Sequence, residues 1–141
     1  MSETLLKHAL TNPVVKVEPG VSVHEAARMM VSGKVGALIV CQGERMLGII
    51  SERDILTKVV AEDLSPLTTT VGQVMTSPVI TASSDDAFID GVRLMIEGNF
   101  RHLPLMGNQG AIVGVLSIRD VARDCLRQLE AVVPTAKKKS A

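Results

Sequence analysis

Gly48-Ile49-Ile50-Ser51-Glu52-Arg53-Asp54 is written twice in this chain, the second time as Gly114-Val115-Leu116-Ser117-Ile118-Arg119-Asp120. Each copy reads as a buried strand that runs into the first turn of a helix. The copies lie 66 residues apart, whereas upstream the register is 65: Pro13 matches Pro78, Ala27 matches Val92, Met30 matches Met95 and Gly33 matches Gly98. One inserted residue near Val113 accounts for the change. A supersecondary unit repeated in this way packs on its twin about an approximate two-fold axis, which predicts two similar Ser/Asp pairs around a shared cleft. Such a cleft suits a small polar ligand better than a series of chemical steps.

The same elements precede each copy. Ser22-x-x-Glu25 has the form of a capping box, and Val23, Ala26, Ala27, Met30 and Val31 fall on one helical face, with Gly33 as the stop. Phe88, Gly91, Val92, Met95 and Ile96 repeat that face, with Gly98 as the stop. Two strands follow each helix: Ala37–Val40 and Met46–Ile50 across a Gln42-Gly43-Glu44 turn, then Leu103–Met106 and Ala111–Leu116 across Gly107-Asn108-Gln109-Gly110. Pro104 has no amide hydrogen and marks an edge position or a strand start. Second helices run from Glu52 to about Ala61 and from Ile118 to about Val132, and Val14, Val15 and Val17 form a short extended segment after Pro13. The result is an α/β fold of two tandem β-α-β-β-α units with pseudo-two-fold symmetry. Its divisions are a lead-in at 1–12, a first repeat at 13–61, a connector at 62–73, a second repeat at 74–132 and a basic tail at 133–141. The Lys137-Lys138-Lys139 run in that tail reads as a disordered, solubilising end.

Composition narrows the function. Hydrophobic residues make up 46% of the chain, yet there are 2 Phe and no Tyr or Trp, so the core is aliphatic and base stacking is disfavoured. Fifteen basic and 15 acidic side chains cancel, so nothing global attracts nucleic acid or an anionic membrane. Cys41 and Cys125 have no CxxC partner and read as free thiols in a reducing compartment. No leader-like start and no membrane-length apolar run is present, so the expectation is a soluble, cytoplasmic protein without membrane insertion. His8, His24 and His102 lie in unrelated contexts and no cluster has metal spacing, which argues against an enzyme.

Ser51-x-x-Asp54 and Ser117-x-x-Asp120 carry two readings. As a capping box, the Ser hydroxyl accepts from the third amide of the helix and the carboxylate reaches back to the Ser amide. As a ligand site, the helix N-terminus offers amides to phosphate while the carboxylate accepts from vicinal ribose hydroxyls. Gly48 and Gly114 interrupt good strands, which capping leaves unexplained and which a ligand or a crossing backbone would require. Arg53 and Arg119 stand in first helical turns, where a cation is unfavourable unless an anion compensates it.

These motifs resemble the tandem CBS-domain pair, or Bateman module, over residues 5–130. GIISERD and GVLSIRD match its closing Gly-h-h-Ser/Thr-x-x-Asp; Val74-Met75-Thr76-Ser77-Pro78-Val79-Ile80 is similar to its Met-Thr opening, and Arg101-His102-Leu103-Pro104-Leu105 to its run before the second strand. The resemblance implies an adenine-nucleotide sensor for AMP, ADP, ATP or NAD, with Asp54 and Ser51 defining one site and Asp120 and Ser117 the other. It assigns the adenine clamp to Val14 and Val15 in the first site and to Val79 and Ile80 in the second. Val35, Gly36 and Ala37, with Phe100, Arg101 and His102, would close the pockets. Arg101 and His102 have only Gly36 and Ala37 as counterparts, so the second repeat supplies the cations for phosphate. The expected partners are a second copy, through Met29, Met30 and Met95, and an enzyme or transporter regulated in trans. A ligand-silent dimerisation or scaffolding module is the alternative, with nucleic-acid binding the weaker one.

Overall fold

The computed structural model describes residues 4–11 and 13–133; the Lys137–Lys139 run lies outside them. The first repeat comprises β1 (Lys16–Val17), α1 (Val23–Gly33), β2 (Ala37–Gln42), β3 (Arg45–Ser51) and α2 (Glu52–Ile55), which continues as a π-helical turn over Leu56–Val60. A short helix α3 (Val71–Val74) follows. The second repeat comprises β4 (Ala82–Ser83), α4 (Phe88–Gly98), β5 (His102–Met106), β6 (Ile112–Ser117) and α5 (Ile118–Val132), and a 3-10 turn at Leu6–Ala9 precedes everything. The sheets have the orders β1-β2-β3 and β4-β5-β6; the first pairing in each is parallel and the second antiparallel.

Alternation along β2 shows how the layers stack. Leu38 and Val40 join a core with Val23, Ala26, Met30, Ile50 and Val59 under the helices. Ala37, Ile39 and Cys41 point the other way, into a layer with Ile49 that reaches Val79, Ile112 and Val115 of the other repeat. The period of two thus buries both faces of the strand, one against helices and one against the facing sheet. Leu103, Leu105 and Leu116 play the helix-facing part in the second repeat, beneath Phe88 and Met95.

The segment leading into each repeat packs on the opposite repeat. Leu6 is fully buried in the second core, and its 3-10 turn is tied there by Leu6 N–H to Asp86 O (2.9 Å) and Phe88 N–H to Thr4 O (2.7 Å). Val71, Val74 and Met75, which lead into the second repeat, complete the first core. Thr76 exchanges backbone bonds with Ile49 of β3 (2.8 and 3.0 Å). This crossing explains the two strand glycines: a Cβ on Gly48 would stand 2.7 Å from Met75 Sδ and 2.8 Å from Thr76 O, and one on Gly114 would stand 2.5 Å from Leu10 Cδ1.

Several local expectations are corrected. Gly33 and Gly98 are the last helical residues, and the left-handed caps are Lys34 (φ 54°) and Asn99 (φ 54°). Gly98 instead makes room for the Phe100 ring. Pro104 sits inside the central strand β5; its counterpart Ile39 donates to Val15 O (3.0 Å), a bond Pro104 cannot make, and β4 pairs with β5 only from Leu105 onward. Strand register places the inserted residue in the hairpin turn, because Cys41 pairs with Met46 where Met106 pairs with Ile112. Ser22 accepts from the Glu25 amide (3.1 Å), which is one arm of the anticipated box. Met30 and Met95 are core residues at 6% and 2% exposure, whereas Val31 and Ile96, on the faces assigned to the core, are 79% and 69% exposed.

Candidate functional site

Both Ser-x-x-Asp motifs form complete capping boxes. Ser51 Oγ accepts from the Asp54 amide (3.2 Å) while Asp54 Oδ2 accepts from the Ser51 amide (2.9 Å); Ser117 and Asp120 repeat this at 3.1 and 3.0 Å. The second carboxylate oxygen of each is also engaged. Asp54 Oδ1 accepts from Thr76 Oγ1 (2.9 Å) and pairs with Lys58 Nζ (2.9 Å), and Asp120 Oδ1 accepts from Thr11 Oγ1 (2.5 Å) and pairs with Arg123 Nη1 (3.3 Å). The cation comes from four residues on in the first case and three in the second. Lys58 lies in the π-helical turn, where the chain is wound differently from the regular α5 that carries Arg123.

A cleft of about 390 Å³ opens at the N-terminus of α2, a volume within the range of small-molecule sites. Ser51, Arg53, Asp54 and Lys58 come to it from the first repeat, and Thr76, Val79, Ile80, Phe100, Arg101 and His102 from the second. Because the leading segments cross, Val79 and Ile80, expected beside Asp120, border the Asp54 cleft, and Val15, expected beside Asp54, borders the Ser117 cleft. A wider cleft of about 750 Å³ is lined by Val15, Val35, Gly36, Ala37, Ser117 and Arg119, and by Arg123 and Lys34. Val14 lines neither cleft and packs between the sheets. Asp120 is buried at 2% exposure and faces Thr11 and Arg123 behind the wall, so only Asp54 of the two acids borders a cleft.

Glu52, Arg101 and His102 line both clefts. Burial pushes the His102 imidazole below its ordinary 6.5; Glu52, then Asp120, pull it back up, and Arg101 adds to the lowering. Burial thus favours the neutral ring in the unliganded protein, and a bound anion would favour the protonated one. Arg53 Nη1 donates to Asn99 O (3.3 Å), bridging the repeats at the rim of the Asp54 cleft.

The family model of the CBS domain matches residues 6–61 and again 71–127. The chain belongs to the CBS domain family. It is a tandem pair, and solved CBS pairs share its fold. A putative signal-transduction protein with CBS domains from Burkholderia ambifaria is 27% identical, with a TM-score of 0.85 over 96% of this chain and 100% of that one. A CBS domain protein from Pyrobaculum aerophilum, solved in complex with AMP, is 28% identical, with a TM-score of 0.77 over 92% and 100%. The CBS domain pair of protein MJ0100, solved with methylthioadenosine and S-adenosyl-L-methionine, is 25% identical, with a TM-score of 0.80 over 90% and 99%. Among curated relatives, a CBS domain-containing protein of Arabidopsis thaliana is 33% identical over 91% of this chain, which spans 24% of that protein's length. An uncharacterised 17.7 kDa protein of Acidianus ambivalens is 36% identical over 87% of this chain and 74% of its own length.

The sequence reading gave no site role to Thr11, Thr76, Lys58, Glu52 or Arg123, polar residues that line the clefts or hold the two motif carboxylates. The repeat carried the signal for two of them, since Thr11 and Thr76 stand at the 65-residue spacing. Lys58 was signalled by its place four residues after Asp54, where opposite charges meet on a helix. Among the described residues no helix is long and apolar enough to cross a membrane, and no group of three or more His, Cys, Asp or Glu side chains is placed to hold a metal ion.

Proposed function

We propose that this CBS pair is an adenine-nucleotide-responsive regulatory module, without catalysis of its own, whose principal site is the Asp54 cleft. The observation that carries the reading is the composition of that cleft. It sets a carboxylate suited to ribose hydroxyls beside apolar Val79 and Ile80 and the cations Arg53 and Arg101. The adenosine ligands in the Pyrobaculum aerophilum and MJ0100 structures support the ligand class. AMP, ADP, ATP and NAD share the adenosine moiety, and the cleft volume suits a mononucleotide. Ligand binding in the cytoplasm would change the angle between repeats or subunits, to be read by an enzyme or transporter acting as partner in trans.

The module acts as a homodimer in this reading, through aliphatic residues that the fold leaves exposed: Leu56 and Val60 after α2, and Leu126 and Leu129 on α5, between 58% and 62% exposed. Val60 and Leu126 are repeat equivalents at the 66-residue spacing, so the surface would itself be quasi-symmetric. A concentration-independent monomer in sedimentation would remove this part.

Native mass spectrometry of the purified protein, followed by calorimetric titration, tests the ligand. A charge-assisted bond to phosphate is worth roughly 1.5–3 kcal/mol, so Arg101→Ala should weaken AMP roughly ten- to a hundredfold and leave adenosine nearly unchanged. The second reading, a ligand-silent scaffold, is favoured by one observation: both capping boxes are complete and every carboxylate oxygen is engaged. A stable dimer that binds no AMP, ATP or NAD would establish it.

A further inference from the structure

Glu52 is the first residue of α2, and its counterpart in the second repeat is Ile118. Its carboxylate lies in the wall common to both clefts. Glu52 Oε1 occupies the place where a side chain on Gly36 would begin, and His102 Nε2 stands 3.1 Å from the same point. Any larger residue at 36 would evict the carboxylate. In the second repeat the equivalent of Gly36 is Arg101, so the wall receives an anion from one half and a cation from the other.

A glutamate at the start of a helix is stabilised by the helix dipole wherever its side chain points. The dipole explains the residue type, but not why this exposed side chain lies over Gly36, where any Cβ would displace its carboxylate. Among the described residues Glu52 forms no ion pair, so its charge acts on whatever enters the clefts.

We propose that Glu52 is a charge filter, favouring adenosine ligands that carry one phosphate or none over those with a polyphosphate chain. The proposal rests on the adenine-ligand reading above and adds which members of that class are taken. One phosphate is served by Arg101 and Arg53, which line the Asp54 cleft. Each further phosphate brings negative charge into a wall that holds a fixed carboxylate. For solvated charges roughly 8–10 Å apart, that repulsion amounts to about twofold in affinity per added charge.

Calorimetric titration of the wild-type protein and Glu52→Gln with adenosine, AMP and ATP, in magnesium-free buffer, tests it. The amide keeps the shape and removes the charge. Relative to AMP, ATP should tighten roughly fourfold in the variant, twofold for each of its two added charges, and adenosine should not change. An unchanged ATP-to-AMP affinity ratio overturns the filter, while AMP binding in the same experiment leaves the adenine-ligand reading standing. If neither protein binds any of the three, both fall together. Should thermal melts show Glu52→Gln to be unfolded, Glu52→Asp withdraws the charge by one methylene; an ATP-to-AMP ratio above the wild-type value is then expected, and an equal ratio overturns the proposal.

Discussion

Leu6 and Gly91 offer a test of the crossed packing that does not depend on any ligand. Leu6 is fully buried in the core of the second repeat, although it precedes the first in sequence. Truncation of such a side chain to alanine removes its transfer free energy and leaves a cavity, and costs about 2–5 kcal/mol, a large share of the 5–15 kcal/mol that holds a domain of this size together. Gly91, in α4, is the residue on which Leu6 rests: a Cβ there would stand 2.9 Å from Leu6 Cδ1 and 3.1 Å from Cγ, and closer still to Cδ2. Gly91→Ala alone therefore sets a helix-propensity gain of about 1 kcal/mol against an overlap costing about 1–3 kcal/mol, and should be net destabilising. In the Leu6→Ala background the overlap vanishes and the new methyl fills part of the cavity, so the same change should become stabilising by about 1 kcal/mol. The coupling is then about 1–3 kcal/mol, readable from urea unfolding of the four proteins. Native-state hydrogen exchange should locate the Leu6→Ala loss in α4, β5 and β6. Additivity within about 0.5 kcal/mol, or lost protection centred on β2 and β3, would refute the packing argument.

Asp54→Ala should cost about 1 kcal/mol as a lost cap and remove most of the melting-temperature rise given by AMP, a rise worth about 2.7 kcal/mol at 100 times the dissociation constant. Asp120→Ala should cost more stability, because Asp120 is the more buried carboxylate and ties Thr11 of the lead-in to α5, and less affinity; differential scanning fluorimetry with and without AMP separates the two. Gly48→Ala should destabilise by about 1–3 kcal/mol in urea, and more than Gly114→Ala, since the first meets the Thr76 carbonyl and the second only the movable end of Leu10. His102, with its pKa lowered by burial, stabilises the fold fully above 6.5 and loses that contribution as pH falls through the lower folded-state value. Melting temperatures of the wild-type protein should accordingly fall more steeply below pH 6.5 than those of His102→Gln, and the ring's contribution to AMP affinity should grow as pH falls.

The repeat and its 65-residue register made the element order legible, because periodicity and caps are local properties that each stretch of chain declares for itself. Ser51 and Ser117 also stand where their motifs place them, at the N-termini of α2 and α5. Which leading segment serves which cleft was not legible. Val14-Val15 and Val79-Ile80 are apolar and extended whether the chain stays with its own repeat or crosses, and only the tertiary fit of Leu10 over Gly114 and Met75 over Gly48 decides it. The fate of Asp120 depended on the same crossing, since Thr11, its partner, arrives from the far end of the sequence. His102 reads from sequence as a group titrating near neutrality; its burial between the clefts comes from both halves at once and moves that titration lower.

The crossing also orders events in time. As the chain is synthesised, Leu6 emerges before Phe88 and Met95, the surface it will cover, exist. The first repeat likewise waits for Val71, Val74 and Met75 before its core is closed. Domains that fold during translation do so as their own contacts become available, and here each half withholds some of the contacts the other needs. The helix-side core of the first repeat can close once Met75 has emerged, but its sheet face still waits for Ile112 and Val115 of the second. The nascent protein must hold an aliphatic lead-in uncovered until nearly the last strand has been made.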